Sequence, residues 1–212
     1  MDSNNISGEF LQSLLAGNRH VSSQIIGNLG IAGLPVEDIY EKIIRKSLYN
    51  IGDLWESGKI SVATEHLASA IVESVLNEMY SGIISKTRNN KTVIVASVEN
   101  EAHQIGIKMV ADIFEMHGWN ALFLGANVPT KDLISFMEDI RPDFIGLSLS
   151  ISFNISTLES TIKCILAANP TMKILIGGQG IRTGRKEIQL KYPDVLYIED
   201  LYKLDVFIKK IS

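Results

Sequence analysis

Glu101 and His103 lie two residues apart in "ENEAHQIG", and a carboxylate so close to an imidazole does one thing well. It holds one ring nitrogen and leaves the other to act as a base or a metal ligand. The pair follows "TVIVASV" (92–98), a continuous apolar run rich in β-branched residues, so it stands just past the carboxyl end of an expected strand. That is the edge at which α/β sheets present ligand-binding groups. Two more stretches of the same kind are "LSLSISFN", with Ser148, Ser150 and Ser152, and "GGQGIR", which opens on Gly177 and Gly178. Serine hydroxyls supply donors, and glycines at 106, 177, 178 and 180 let backbone come close to a flat ligand because no Cβ intervenes.

Positioning these loops requires a sheet. From residue 92 onward short β-rich runs alternate with helical segments: strands at 92–98, 120–125, 143–150, 172–178 and 194–200, and helices at about 102–117, 130–140, 156–168, 183–191 and 201–210. Continuous apolar strands joined by crossover helices mean a parallel sheet covered on both faces, so the fold class is α/β, a doubly wound, flavodoxin-like five-stranded sheet. With the flavodoxin-like strand order, the loops after the first and third strands border the reversal point where ligands sit. A receiver domain of the same fold needs clustered aspartates after its first strand and another after its third, and the sequence has neither.

Residues 7–87 carry a different periodicity. "SGEFLQSLLAG" and "RHVSSQIIGNLGIAG" are short amphipathic pieces, and Pro35, Glu37 and Asp38 suit the amino terminus of a helix. Ile39, Ile43, Ile44, Leu48, Ile51 and Trp55 then recur at three- and four-residue steps, as one helix face does. Ser61, Thr64 and Glu65 form a cap and first turn for "VATEHLASAIVESVLNEMYSGIIS". Four helices with short links predict a small four-helix-bundle cap domain over residues 1–87, with the polar "KTRNNK" marking the passage to a sheet domain over 88–212.

Bulk properties narrow the function classes. The net charge of −4 gives no general basic field for nucleic acid or an anionic bilayer. The single cysteine, Cys164, excludes an internal disulfide and a cysteine-based metal cluster, as expected in a reducing cytoplasm. No window approaches a membrane span, so a cytoplasmic protein without membrane attachment is expected.

The spacing of the three loops resembles the cobalamin-binding domain of methionine synthase, corrinoid methyl carriers, certain mutases and bacterial vitamin B12 light sensors. That family carries an Asp/Glu-x-His-x-x-Gly box, a Ser-x-Leu and a Gly-Gly at matched distances. Here Glu101-Ala-His103-Gln104-Ile105-Gly106 is followed after 41 residues by Ser148-Leu-Ser150, and after 26 more by Gly177-Gly178. The resemblance implies that His103 is the lower ligand to cobalt in place of the cofactor's own base. It implies that Glu101 orients the imidazole and that the displaced nucleotide tail runs past Gly106, Ser148 and the Gly-Gly turn. Ser150 stands where the family pattern has leucine, altering the slot wall.

The helical half resembles adenosylcobalamin light sensors more narrowly. Nine residues separate Trp55 from Glu65-His66, their Trp-x9-Glu-His signature, with Val62 between. The resemblance implies that Trp55 and Val62 pack against a large upper ligand, that Glu65 and His66 bond its ribose and base, and that the cofactor lies between cap and sheet. Glu56 replaces the histidine that follows this tryptophan in those sensors, so a photoproduct with two histidine ligands would draw on His66 or another donor. The 34 residues before Pro35 read as bundle helices, not a DNA-binding module, so direct DNA binding is not expected and signalling would pass through a protein partner or self-association.

Three functions follow as expectations. The favoured one is a sensor or regulator binding adenosylcobalamin. The alternatives are a methyl carrier binding methylcobalamin for a corrinoid methyltransferase system, and a module that stores or delivers the cofactor. None of them is an enzyme in isolation.

Overall fold

The computed structural model describes residues 3–182 and 184–212, and the chain divides into two compact units, Met1–Ile83 and Ile84–Ser212. The first unit is helical. Helices α1 (Ser3–Leu15) and α2 (Arg19–Ile31) meet at a turn where Gly17 takes a φ of 67° and the Asn18 side chain accepts the Val21 amide at 3.1 Å. Phe10, Leu14, Ile26 and Leu29 are buried, and the Ser13 and Ser22 hydroxyls satisfy each other at 2.8 Å inside that core.

The next helix departs from the simple periodicity. A short α3 (Val36–Asp38) passes into a π-wound segment, Ile39–Arg45, and continues as α4 (Lys46–Glu56). Ile39, Tyr40, Ile43 and Ile44 are all buried along this segment. The apolar stripe then stops short of its last expected member: Ile51 is buried, whereas Trp55 is 47% exposed. Helix α5 (Val62–Ile83) starts at Ser61, whose Oγ accepts the Thr64 amide at 3.1 Å, as the cap reading anticipates.

The second unit is a five-stranded parallel sheet: β1 (Thr92–Ser97), β2 (Asn120–Gly125), β3 (Phe144–Ser148), β4 (Lys173–Gly177) and β5 (Leu196–Tyr197). Helices α6 (Ile105–Met116), α7 (Thr130–Ile140), α8 (Ile155–Ala168) and α9 (Arg185–Lys191) form the crossovers, and α10 (Leu201–Ile211) follows β5. The order β2-β1-β3-β4-β5 is the flavodoxin-like one, with its reversal between β1 and β3. The two central strands are the driest: every residue of β3, and every residue of β1 except Thr92, is buried. Ile94, Ile145, Leu147, Ile174 and Ile176 share one core with Leu133, Met137, Leu158, Ile162 and Ile165. Each such side chain contributes about 1.5–3 kcal/mol by leaving water.

Of the boundaries that differ from the sequence expectation, three do so for identifiable reasons. β3 ends at Ser148, not at 150, because the Ser150 and Ile151 amides leave the ladder and donate to Glu101. α6 begins at Ile105, not at 102, because the His103 amide is also taken by Glu101. β5 keeps only two ladder residues at the sheet edge, and Asp200 turns the chain into α10 by accepting the Lys203 amide at 2.7 Å. Thr183, in the expected helix 183–191, lies outside the described residues.

Candidate functional site

Glu101 anchors the site. Its carboxylate is fully buried, at 0% exposure, and accepts four hydrogen bonds. The His103 amide donates to Oε1 at 3.0 Å and the His103 Nδ1–H to the same oxygen at 2.5 Å. The Ser150 and Ile151 amides donate to Oε2 at 2.8 and 2.9 Å. Burial pushes this carboxyl up, and the bonds from the His103 ring, the His103 amide and the Ile151 and Ser150 amides outweigh it, holding the group below the ordinary glutamate value.

An ionised carboxylate can only accept, so the proton in the pair resides on Nδ1, and Nε2 is the nitrogen with which a neutral His103 would meet a metal. The imidazole is 55% exposed although its partner is wholly enclosed. The pair thus joins a dry orienting group to an accessible donor. Ser97, which the spacing of motifs did not single out, adds a third restraint by donating from Oγ to the His103 carbonyl at 2.7 Å.

The strand register brings the other loops alongside. Ser97 pairs with Ser148 and Ser148 with Gly177 on three adjacent strands, so these residues form one row at the carboxyl edge. Ser148 is buried at the end of that row, Ser150 is half-buried, and Ser152 is exposed in a 3₁₀ turn with Phe153 and Asn154. Gly178 has a φ of 106°, and a Cβ there would stand 2.2 Å from the Leu149 carbonyl oxygen. A Cβ on Gly180 would come within 2.9 Å of the Ser150 and Ile151 backbone. The close approach at these two glycines is therefore backbone against backbone, which seats the loop whose amides hold Glu101. Gly106 differs: a Cβ there would meet nothing within 4 Å. Gln104 and Ile105 lead into α6, and Gln104 turns its Oε1 to the Ala126 amide at 3.2 Å.

Residues after β2 also touch this loop, and no motif flagged them. Asn127 Oδ1 accepts the Asn100 amide at 2.8 Å, and the Asn127 amide donates to the Glu101 carbonyl at 2.8 Å. Asn154 Nδ2 donates to the Asn100 carbonyl at 2.9 Å. Asparagine in a loop is a weak signal for such a role, since it also marks turns in general.

In the helical unit, Trp55 closes α4 and Val62 opens α5, 51% exposed, so both apolar side chains stand at one end of the bundle. Glu65 Oε2 meets His66 Nδ1 at 2.5 Å while the Ser69 hydroxyl donates to Glu65 Oε1 at 2.8 Å. His66 is 74% exposed. His117, which caps the end of α6, has its Nε2 2.8 Å from Asp205 Oδ1 and so ties α6 to α10.

Comparison with known proteins fits this geometry. A family model described as "B12 binding domain" matches residues 91–200, just over half of the chain, and a second of the same description matches residues 7–79. The chain belongs to the B12-binding-domain family. It is a cobalamin-binding protein, similar over 155 residues, at 28% identity, to the HTH-type transcriptional repressor CarH of Myxococcus xanthus, covering 72% of this chain and 51% of the repressor. It is also 23% identical over 150 residues to dimethylamine corrinoid protein 3 of Methanosarcina acetivorans, covering 69% of this chain and 70% of that one. The chain spans about half the length of the first curated relatives it matches. The monomethylamine corrinoid protein of Methanosarcina barkeri shares the fold with a TM-score of 0.82 at 14% identity, over 99% of both chains.

The residues present suit a corrinoid. The Glu101 carboxylate is consumed by protein donors, so the imidazole of His103 is the donor that this pair offers, and one nitrogen donor is what a metal already held in a macrocycle requires. Among the described residues no helix is long and apolar enough to cross a membrane.

Proposed function

We propose that His103 is the lower cobalt ligand of bound cobalamin and that the protein is a sensor of adenosylcobalamin that signals to a protein partner. The observation that carries the first part is the buried Glu101 carboxylate, which fixes the proton of His103 on Nδ1 and so directs Nε2 to the metal. Ser148, with Ser150, Ser152, Gly177 and Gly178, is assigned to the slot for the nucleotide tail, and Gln104, Ile105 and Gly106 to the loop and helix start it passes. The bound cofactor supplies a cobalt–carbon bond on its upper side.

Trp55 and Val62 support the adenosyl form, because two exposed apolar side chains at one bundle end suit a bulky upper group better than a methyl. Beside them, the paired Glu65 and His66 offer hydrogen bonds to a ribose and a base. Loss of that group would leave Trp55 and Val62 without a partner, and repacking of this end is the event a partner protein or a second copy would read. Light would act on that bond, whereas cofactor supply would act through occupancy of the site.

A methyl carrier for a corrinoid methyltransferase system is the second reading, favoured by similarity to dimethylamine corrinoid protein 3 over 70% of its length. Reconstitution in darkness with adenosyl- or methylcobalamin, then illumination, separates the two. The sensor reading expects tighter binding of the adenosyl form, with a change in spectrum and in assembly state on its loss. Equal affinity and unchanged assembly would sink it in favour of the carrier.

A further inference from the structure

The loop that carries His103 is stitched to the β2–α7 loop at five places, and one residue makes two of them. Asn127 accepts the Asn100 amide on its side chain and donates its own amide to the Glu101 carbonyl, both at 2.8 Å. Flanking it, the Ala126 amide donates to Gln104 Oε1 at 3.2 Å, the Val128 amide to the Ser97 carbonyl at 3.4 Å and the Thr130 amide to Glu99 Oε2 at 3.2 Å. Asn100 and Asn127 both take left-handed backbone, with φ of 67° and 51°, so this stretch is bent where an unrestrained chain would not stay bent.

We infer that Asn127 is a positioning residue for the lower ligand: it holds Asn100 and Glu101 in the bent conformation from which the imidazole of His103 is presented. The inference rests on the assignment of His103 to cobalt. Its physical basis is that Glu101 is restrained at both ends. The carboxylate is fixed by the Ser150 and Ile151 amides from the β3–α8 loop, and the backbone by Asn127 from the β2–α7 loop. A side chain anchored at its tip but free at its root can rotate the attached chain, and His103 is only two residues on. Asn127 closes that freedom together with the Glu101 amide's bond to the Val98 carbonyl at 3.0 Å. Asn154, donating to the Asn100 carbonyl at 2.9 Å, braces the same residue from the far side.

Two substitutions isolate the side-chain contact. Asn127→Gly keeps the amide and tolerates a φ of 51° but deletes the acceptor, whereas Asn127→Asp keeps an acceptor in place. In protein without cofactor, Asn127→Gly is expected to speed amide hydrogen exchange at residues 100–103 while leaving β1 and α6 unchanged, and Asn127→Asp to restore protection. With adenosylcobalamin in darkness, Asn127→Gly is expected to weaken binding about fivefold, the equivalent of one hydrogen bond, and to lower the fraction showing the histidine-ligated absorption spectrum. In a His103→Ala background the same change should have no further effect on affinity, because Asn127 acts through His103.

Unchanged exchange at residues 100–103 in Asn127→Gly overturns the inference, and so does an equal loss of affinity in the His103→Ala background. If His103→Ala alone retains the wild-type spectrum and affinity, the ligand assignment itself fails. A loss confined to His103→Ala, with Asn127→Gly binding as wild type, removes only the role of Asn127.

Discussion

Replacing Glu101 by glutamine tests the center of the site with the smallest change of shape. The carboxylate accepts four hydrogen bonds from buried surroundings, two on each oxygen. A glutamine has one oxygen, so its amide nitrogen must face either the Ser150 and Ile151 amides or the His103 pair. The first orientation opposes two backbone donors with a third donor. The second leaves one, the His103 amide, without an acceptor, and lets Nδ1 accept if its proton moves to Nε2. The second is the less costly. One unsatisfied buried donor costs about 1–3 kcal/mol, and loss of charge assistance in the remaining bonds about 1 kcal/mol, so apo stability should fall by about 2–4 kcal/mol. Affinity should suffer more, because the Nε2 that would meet the cobalt now carries a proton.

The assay is urea unfolding of the apo protein, with binding followed separately. Trp119 is fully buried in the sheet unit, so a Trp55→Phe background makes its fluorescence report that unit alone. The sign with pH is also determined. A carboxyl held below its ordinary value contributes stability that is fully present above about pH 4.3 and is lost as the pH falls through the lower native value, so wild type and Glu101→Gln should converge on acidification. Glu101→Gln protein with stability within about 0.5 kcal/mol of wild type, or with the wild-type affinity and cobalt-ligand spectrum, would refute the reasoning.

Gly178→Ala places a Cβ 2.2 Å from the Leu149 carbonyl oxygen at a φ of 106°. It should cost about 2–4 kcal/mol in unfolding and disturb the amides that hold Glu101, so a thermal midpoint equal to wild type would contradict the close packing described. Gly106→Ala meets nothing within 4 Å, and in the first turn of α6 it should leave apo stability equal or raise it by up to about 1 kcal/mol. If the open space serves the cofactor, its affinity should still drop about tenfold in a cobalamin titration, and unchanged affinity removes that role. Trp55→Ala, at an exposed position, should change stability by less than about 0.5 kcal/mol yet cost about 1–3 kcal/mol of adenosylcobalamin binding, with methylcobalamin affected less; equal losses for both forms count against the upper-ligand surface.

Local pattern was enough for the elements. Continuous apolar runs located the five strands, and Ser61 announced the start of α5, because these features follow from side-chain periodicity and from one side chain bonding a nearby amide. The spacing from His103 to Ser148 to Gly177 was likewise present in the chain itself. What the residue order does not encode locally is which backbone groups meet across long separations. The Ser150 and Ile151 amides lie 49 and 50 residues from the Glu101 carboxylate that they hold, and their departure from the ladder is what shortens β3.

Asn127 was invisible for the same reason, its work depending on two loops becoming neighbours only once β2 lies beside β1. Trp55 continued the apolar stripe by spacing and yet is exposed, since it lies in the last turn of α4, where the helix runs out. Composition and spacing thus determined the sheet and the bundle and singled out His103 as the candidate ligand. Only the tertiary structure decided how that histidine is held, since a tautomer is set by contacts from strands that are distant in the chain and adjacent in the fold.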